Sequence, residues 1–114
     1  MTTLFQGGLD RKIVPPIHLV ESKFSTVQVL TTPTKLLTLN PYRLAFMLGT
    51  AASTNVVIWP AAIRPSGKGI QLALASGFFE CRWADHPAMV GLEWYAIDSV
   101  GGVLIEVAED LAVR

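Results

Sequence analysis

The chain reads as an all-β, single-domain β-sandwich of about eight strands, jelly-roll or Greek-key like, with an extended N-terminal arm. Three observations carry that reading. Short alternating apolar runs recur at regular spacing, punctuated by glycine and proline. No window of about 11 residues holds a sustained helical stripe. And the stretch from Arg43 to Arg64 contains no charged residue, yet it does not suit a membrane helix. Its length approaches the roughly 20 apolar residues that span a bilayer. Thr50, Ser53, Thr54 and Asn55 would then lie where hydrocarbon is deepest. Pro60 would remove a helical hydrogen bond, and Val56-Val57-Ile58-Trp59 favours extended backbone. The stretch therefore reads as two buried strands joined by a small polar loop.

The elements follow in order. Residues 1–24 carry Gly7-Gly8 and Pro15-Pro16, which break regular structure. They also carry Leu4, Phe5, Leu9, Ile13, Val14 and Ile17, too apolar for a solvated tail. An extended arm that packs on its own domain or on a neighbour fits both facts; an irregular edge strand is the alternative. The sandwich is expected over 25–114. Ser25 to Thr32 alternates with Val27 and Val29 on one face. Thr34 to Leu39 is a second strand, and Asn40-Pro41 a turn. Arg43 to Leu48 and Val56 to Trp59 are the two charge-free strands. Ile70 to Ala75 is the fifth. In Phe78 to Trp83, Phe79, Cys81 and Trp83 point one way, and Phe78, Glu80 and Arg82 the other. Ala84-Asp85-His86-Pro87 reads as a loop. Val90 to Asp98 is the seventh strand. Ser99-Val100-Gly101-Gly102 connects it, with glycines free to take positive φ, to Val103–Ala108. Glu109 to Arg114 reads as a short tail.

Composition narrows function. In 114 residues, 51% are hydrophobic and only 16% charged, with zero net charge. An ordinary domain carries about 25% charge, so some apolar surface is expected to be covered by another subunit. No basic run offers a phosphate-backbone footprint, so nucleic acid is not an expected partner. Cys81 is the sole cysteine and cannot build an internal disulfide framework. The N-terminus lacks the basic and continuous apolar regions of a secretion signal, so folding in the cytoplasm is expected.

No constellation of catalytic groups emerges. His18 and His86 are the only histidines, and Cys81 with His86 lacks the further ligands a zinc site needs. Asp85-His86 would form a dyad only with a nucleophile such as Ser76 or Ser99 brought within reach. Ser66-Gly67-Lys68-Gly69 fails the phosphate-loop pattern, because position 62 is Ala and Gly69 replaces the Ser or Thr. Glu80 and Glu93 could face each other on paired strands, like a glycosidase carboxylate pair, although outward carboxylates are usually just solvated. The reading is non-enzymatic: no catalytic, cofactor-binding or metal residue is assigned, and no small-molecule substrate. Leu4, Phe5, Leu9, Ile13, Trp59, Trp83 and Tyr95 are the interface candidates, because large apolar and aromatic side chains dominate protein contacts.

One stretch has a further meaning. Asn40-Pro41-Tyr42-Arg43, an apolar strand, Thr50-Ala51-Ala52-Ser53-Thr54-Asn55 and Val56-Val57-Ile58 form a pattern. It continues through Ser66-Gly67-Lys68-Gly69-Ile70-Gln71-Leu72, Glu93-Trp94-Tyr95-Ala96-Ile97-Asp98 and Val103 to Glu109. This pattern, from about Asn40 to Glu109, resembles the small β-sandwich structural proteins of tailed bacteriophages, capsid decoration (cement) proteins among them. The resemblance implies a virion location on the capsid surface, and partners in the major capsid protein and in further copies of the chain, as a dimer or trimer. A glycan- or receptor-binding module of a phage head or tail fibre is the alternative. Neither implies an active site, nucleic acid or a membrane.

Overall fold

A computed structural model describes residues 20–50, 55–66, 68–72 and 77–113. Eight strands account for most of them: β1 (Val20–Val29), β2 (Thr34–Leu37), β3 (Arg43–Thr50), β4 (Val56–Pro60), β5 (Ile70–Leu72), β6 (Gly77–Arg82), β7 (Trp94–Asp98) and β8 (Val103–Ala112). One four-residue helix, α1 (Pro87–Val90), lies between β6 and β7. The strands form two antiparallel sheets, in the orders β1-β8-β3-β6 and β2-β7-β4-β5.

The pairing explains the order. β1 pairs with β8, β2 with β7, β3 with β6 and β4 with β5. The chain is thus one long hairpin ribbon folded over on itself, with β3–β8 and β4–β7 closing the two sheets. That is the jelly-roll topology, two Greek keys facing each other. The charge-free stretch contributes one interior strand to each sheet, β3 and β4, so its two halves meet across the core. Among the described residues no helix is long and apolar enough to cross a membrane.

Alternation puts the core between the sheets. Phe46 and Leu48 of β3, Cys81 of β6, and Ile105 and Val107 of β8 face Val56 and Ile58 of β4 and Trp94 and Ala96 of β7. Trp94 holds the layers together. Its ring lies 5.1 Å from Phe46, edge-on, and 5.4 Å from Phe79, both on the opposite sheet. Its indole N–H donates to the Met89 carbonyl at 3.0 Å, so the buried ring keeps its polar atom satisfied.

Several boundaries differ from the sequence expectation, each for a non-local reason. β1 begins at Val20 rather than Ser25, because Val20 to Phe24 pair with Ala112 to Ala108. The same pairing turns Glu109 to Ala112, read as a tail, into strand. Val90 begins no strand: it is the last residue of α1, and the Met89 and Val90 N–H groups donate to the His86 carbonyl. In sequence Pro87 reads as a loop marker, but at the first helical position proline is compatible with a helical turn. Trp83 leaves β6 for a turn and is 57% exposed, so it does not share the inward face of Phe79 and Cys81.

Candidate functional site: an apolar outer sheet face

The residues with chemical potential are dispersed or engaged structurally. Cys81 is buried in the core. Burial pushes its thiol above the ordinary cysteine range, reinforced by Asp85 and opposed by the Arg43 guanidinium. A neutral buried thiol is a poor nucleophile. No group of three or more potential metal ligands exists among the described residues. Glu80 and Glu93 do not form a carboxylate pair. Glu80 sits on the first sheet and accepts from Arg82 Nε at 2.8 Å, while Glu93 precedes β7 of the second sheet and accepts from Lys35 Nζ at 3.0 Å. Ser76 and His18 lie outside the described residues.

Two buried charged side chains instead brace the ends of the sandwich. Arg43, 1% exposed, spends its guanidinium on four acceptors. Its Nε bonds Glu109 at 2.8 Å; Nη1 reaches the carbonyls of Val90 and Leu92, both at 3.1 Å; Nη2 reaches that of Thr38 at 2.6 Å. Near the other end of β8, Asp98, also 1% exposed, accepts backbone N–H groups of Gly101 at 2.9 Å and of Val100 and Val103 at 3.4 Å. These groups are engaged in holding the ends of the sandwich together.

What the fold leaves open is the outer face of the β1-β8-β3-β6 sheet. Register puts Phe24, Ala108, Met47 and Glu80 in one row across the four strands. The next row is Thr26, Glu106, Gly49 and Phe78. Phe24 is 79% exposed, Phe78 60% and Met47 40%. The two phenylalanines stand on the edge strands, while Ala108 and Gly49 keep the middle strands low. The result is a groove of about 470 Å³ whose lining includes Phe24, Met47, Phe78, Gly49 and Glu106. A second hollow, about 230 Å³, adjoins it and includes Ala45, Glu80 and Asp110 in its lining. Exposed aromatic rings over a floor of small residues make a surface for apolar contact.

The second sheet presents a different outer face. Lys35, Tyr95 and Trp59 share a row there. Trp59 stacks on Tyr95, with ring centres 6.2 Å apart and planes 17° from parallel. Lys35 lies 5.9 Å above the Tyr95 ring and pairs with Glu93. Of the interface candidates from sequence, Trp59 is thus buried within its own chain, Tyr95 is half-buried under Lys35, and Trp83 is exposed. Leu4, Phe5, Leu9 and Ile13 lie outside the described residues. Phe24, Met47 and Phe78 were not among the candidates. Their signal was in the alternation: Phe78 shares a face with Glu80 and Arg82, and Met47 lies opposite Phe46 and Leu48.

No protein-family model matches the chain, and no curated protein matches its sequence. Among solved structures, it is similar to a chain from Bacillus endospore appendages, described as a novel family of disulfide-linked pili. The TM-score is 0.51 at 8% identity, over 84% of this chain and 88% of that one. At that identity the likeness concerns the fold. It supports the all-β architecture and comes from an appendage protein rather than a phage protein. The single cysteine here, 1% exposed in the core, is not presented on the surface for a link between subunits.

Proposed function

We propose that the chain is a non-enzymatic structural protein, built into a larger protein assembly through its sheet surfaces. The observation that carries this reading is the exposed apolar face bearing Phe24, Met47 and Phe78, on a domain whose buried charges among the described residues, Arg43 and Asp98, brace the fold. A low charge fraction and a jelly-roll scaffold suit the same role. So does the fold's likeness to an appendage protein.

The assembly we propose is a bacteriophage head, where the protein acts as a capsid decoration protein, bound to the major capsid protein and to further copies of itself on the capsid surface. The phage-like pattern from Asn40 to Glu109 supports this choice, and its Asn-Pro-x-Arg entry has a physical role here: Asn40 Oδ1 accepts from the Tyr42 N–H at 2.9 Å, turning the chain so that Arg43 enters the buried network. Addition of purified protein to expanded capsids lacking it is the test. Saturable binding with a raised capsid disruption temperature is expected. No binding and no shift overturn the decoration role; polymerisation of the protein alone into filaments, seen by electron microscopy, would move it to an appendage.

The alternative reading, a glycan- or receptor-binding module, draws on exposed Trp83 and Tyr42 near the Arg43 end of the sandwich. A saccharide response on a glycan array, lost in Trp83→Ala, would favour it.

A further inference from the structure

We propose that the groove between Phe24 and Phe78 is a docking site for residues 1–19 of a second copy of the chain. The inference rests on the structural-subunit reading and names the contact through which subunits would join.

The groove comes first. Its walls are two phenylalanine rings on opposite edge strands, and its floor is Gly49, Ala108 and the flank of Met47. An extended segment lying in it would bury apolar side chains against both rings. Its lining carries one charged side chain, an acidic one. Glu106 borders the groove and has no ion-pair partner among the described residues. Asp110 and Glu80 border the adjoining hollow, where Asp110 accepts a hydrogen bond from the Ser22 hydroxyl and Glu80 is already paired with Arg82. The preferred occupant is therefore an apolar segment that carries positive charge.

The chain supplies one. Ahead of Val20 stand 19 residues that carry Leu4, Phe5, Leu9 and Ile13, with Asp10-Arg11-Lys12, net positive by one charge, between the last two. Extended, they reach about 60 Å, ample to cross onto an adjoining subunit. The sequence next to Val20 argues for a neighbour's groove over the arm's own. Pro15-Pro16 favours extended backbone, and Ile17-His18-Leu19 contains no Gly, Asn, Asp or Ser to reverse the chain onto the sheet it has just left. An arm from one subunit in the groove of the next is a head-to-tail contact. It closes into a ring or extends as a filament, depending on the rotation between copies.

The test uses the full chain and reads association by sedimentation over a dilution series. Phe24→Asp/Phe78→Asp changes exposed positions and breaks the groove; Phe5→Asp/Leu9→Asp breaks the arm. Each is expected to weaken self-association at least about tenfold, as expected for loss of buried aromatic anchors, with unchanged melting of the domain. Mixing the two variants restores one intact arm and one intact groove, so it should yield a pair of subunits and nothing larger. Glu106→Lys should weaken association, and Arg11→Glu/Lys12→Glu in the same chain should recover it. A wild-type protein that stays monomeric throughout overturns the proposal. So does loss of association in the groove variant alone, but that result leaves the structural-subunit reading standing, because the face would still be an interface. Absence of both self-association and capsid binding would sink the two together.

Discussion

Arg43 and Asp98 are equally buried and lie near opposite ends of β8, yet they stabilise the fold in different ways. Asp98 serves its own turn. Its three donors lie within five residues, and the backbone from Val100 to Val103 wraps around one carboxylate. Arg43 serves the whole domain. Its partners come from the end of β2, from α1 and its exit, and from β8, up to 66 residues away in sequence. A local network stabilises one connection; a dispersed one holds together elements that would otherwise separate. Loss of Arg43 should therefore be felt everywhere, and loss of Asp98 chiefly in the β7–β8 connection.

The largest expected effect follows directly. Arg43→Met should destabilise the domain by about 3–5 kcal/mol, because Glu109 and three carbonyls lose their donor together. Arg43→Lys should recover only part of it, since an ammonium cannot present the planar fork of donors. Denaturant unfolding measures both, and a loss below about 1 kcal/mol for Arg43→Met would break the contrast. Asp98→Ala should follow at about 1–3 kcal/mol, the range for leaving buried donors unsatisfied. The double variant should show near-additive losses, because the two networks share no partner. A large coupling would show that β8 transmits strain from end to end.

Gly101→Ala tests the Asp98 turn from its backbone side. Gly101 has φ of 91°, and a Cβ there would come 3.1 Å from Thr31 Cγ2. A loss of about 1–2 kcal/mol is expected, confined to the same connection and visible as faster hydrogen exchange there. Cys81 reports on the Arg43 side. Its folded pKa lies above its unfolded value, so the associated stability is intact below the ordinary cysteine pKa and is lost as pH rises through the raised folded value. Melting temperature should fall on the alkaline side, more steeply in wild type than in Cys81→Ala. An Ellman-type reagent should label the thiol only as the protein unfolds, and faster in Arg43→Met. The smallest effect belongs to Lys35→Ala on the second sheet's outer face. The Glu93 carboxylate raises the Lys35 pKa, but the pair is exposed and screened, so the melting temperature should hardly move.

The two braces were unequally legible in sequence. Asp98-Ser99-Val100-Gly101-Gly102 declares a turn, since Asp bonds nearby backbone N–H groups and the glycines take positive φ. Arg43 was visible only as the edge of a charge-free stretch. Its acceptors are backbone carbonyls, which every residue carries, so no side-chain pattern marks them. The candidate surface divides similarly. Outward-facing Phe78 could be read from alternation with Glu80 and Arg82. Phe24 could not, because its strand exists only through pairing with Ala108 on β8.

The sequence by itself determined the β character of the domain, the shared inward face of Val27 and Val29 on β1 and of Phe79 and Cys81 on β6, and the turns at Asn40-Pro41 and Gly101-Gly102. Those properties depend on side-chain alternation and on backbone preferences within a few residues. Only the tertiary structure decided which strands pair, how far β1 and β8 extend, that a helical turn follows His86, and that Phe24 and Phe78 frame one groove. Each of those depends on contacts between residues distant in the chain, whose geometry is set once the hairpin ribbon has folded over its core.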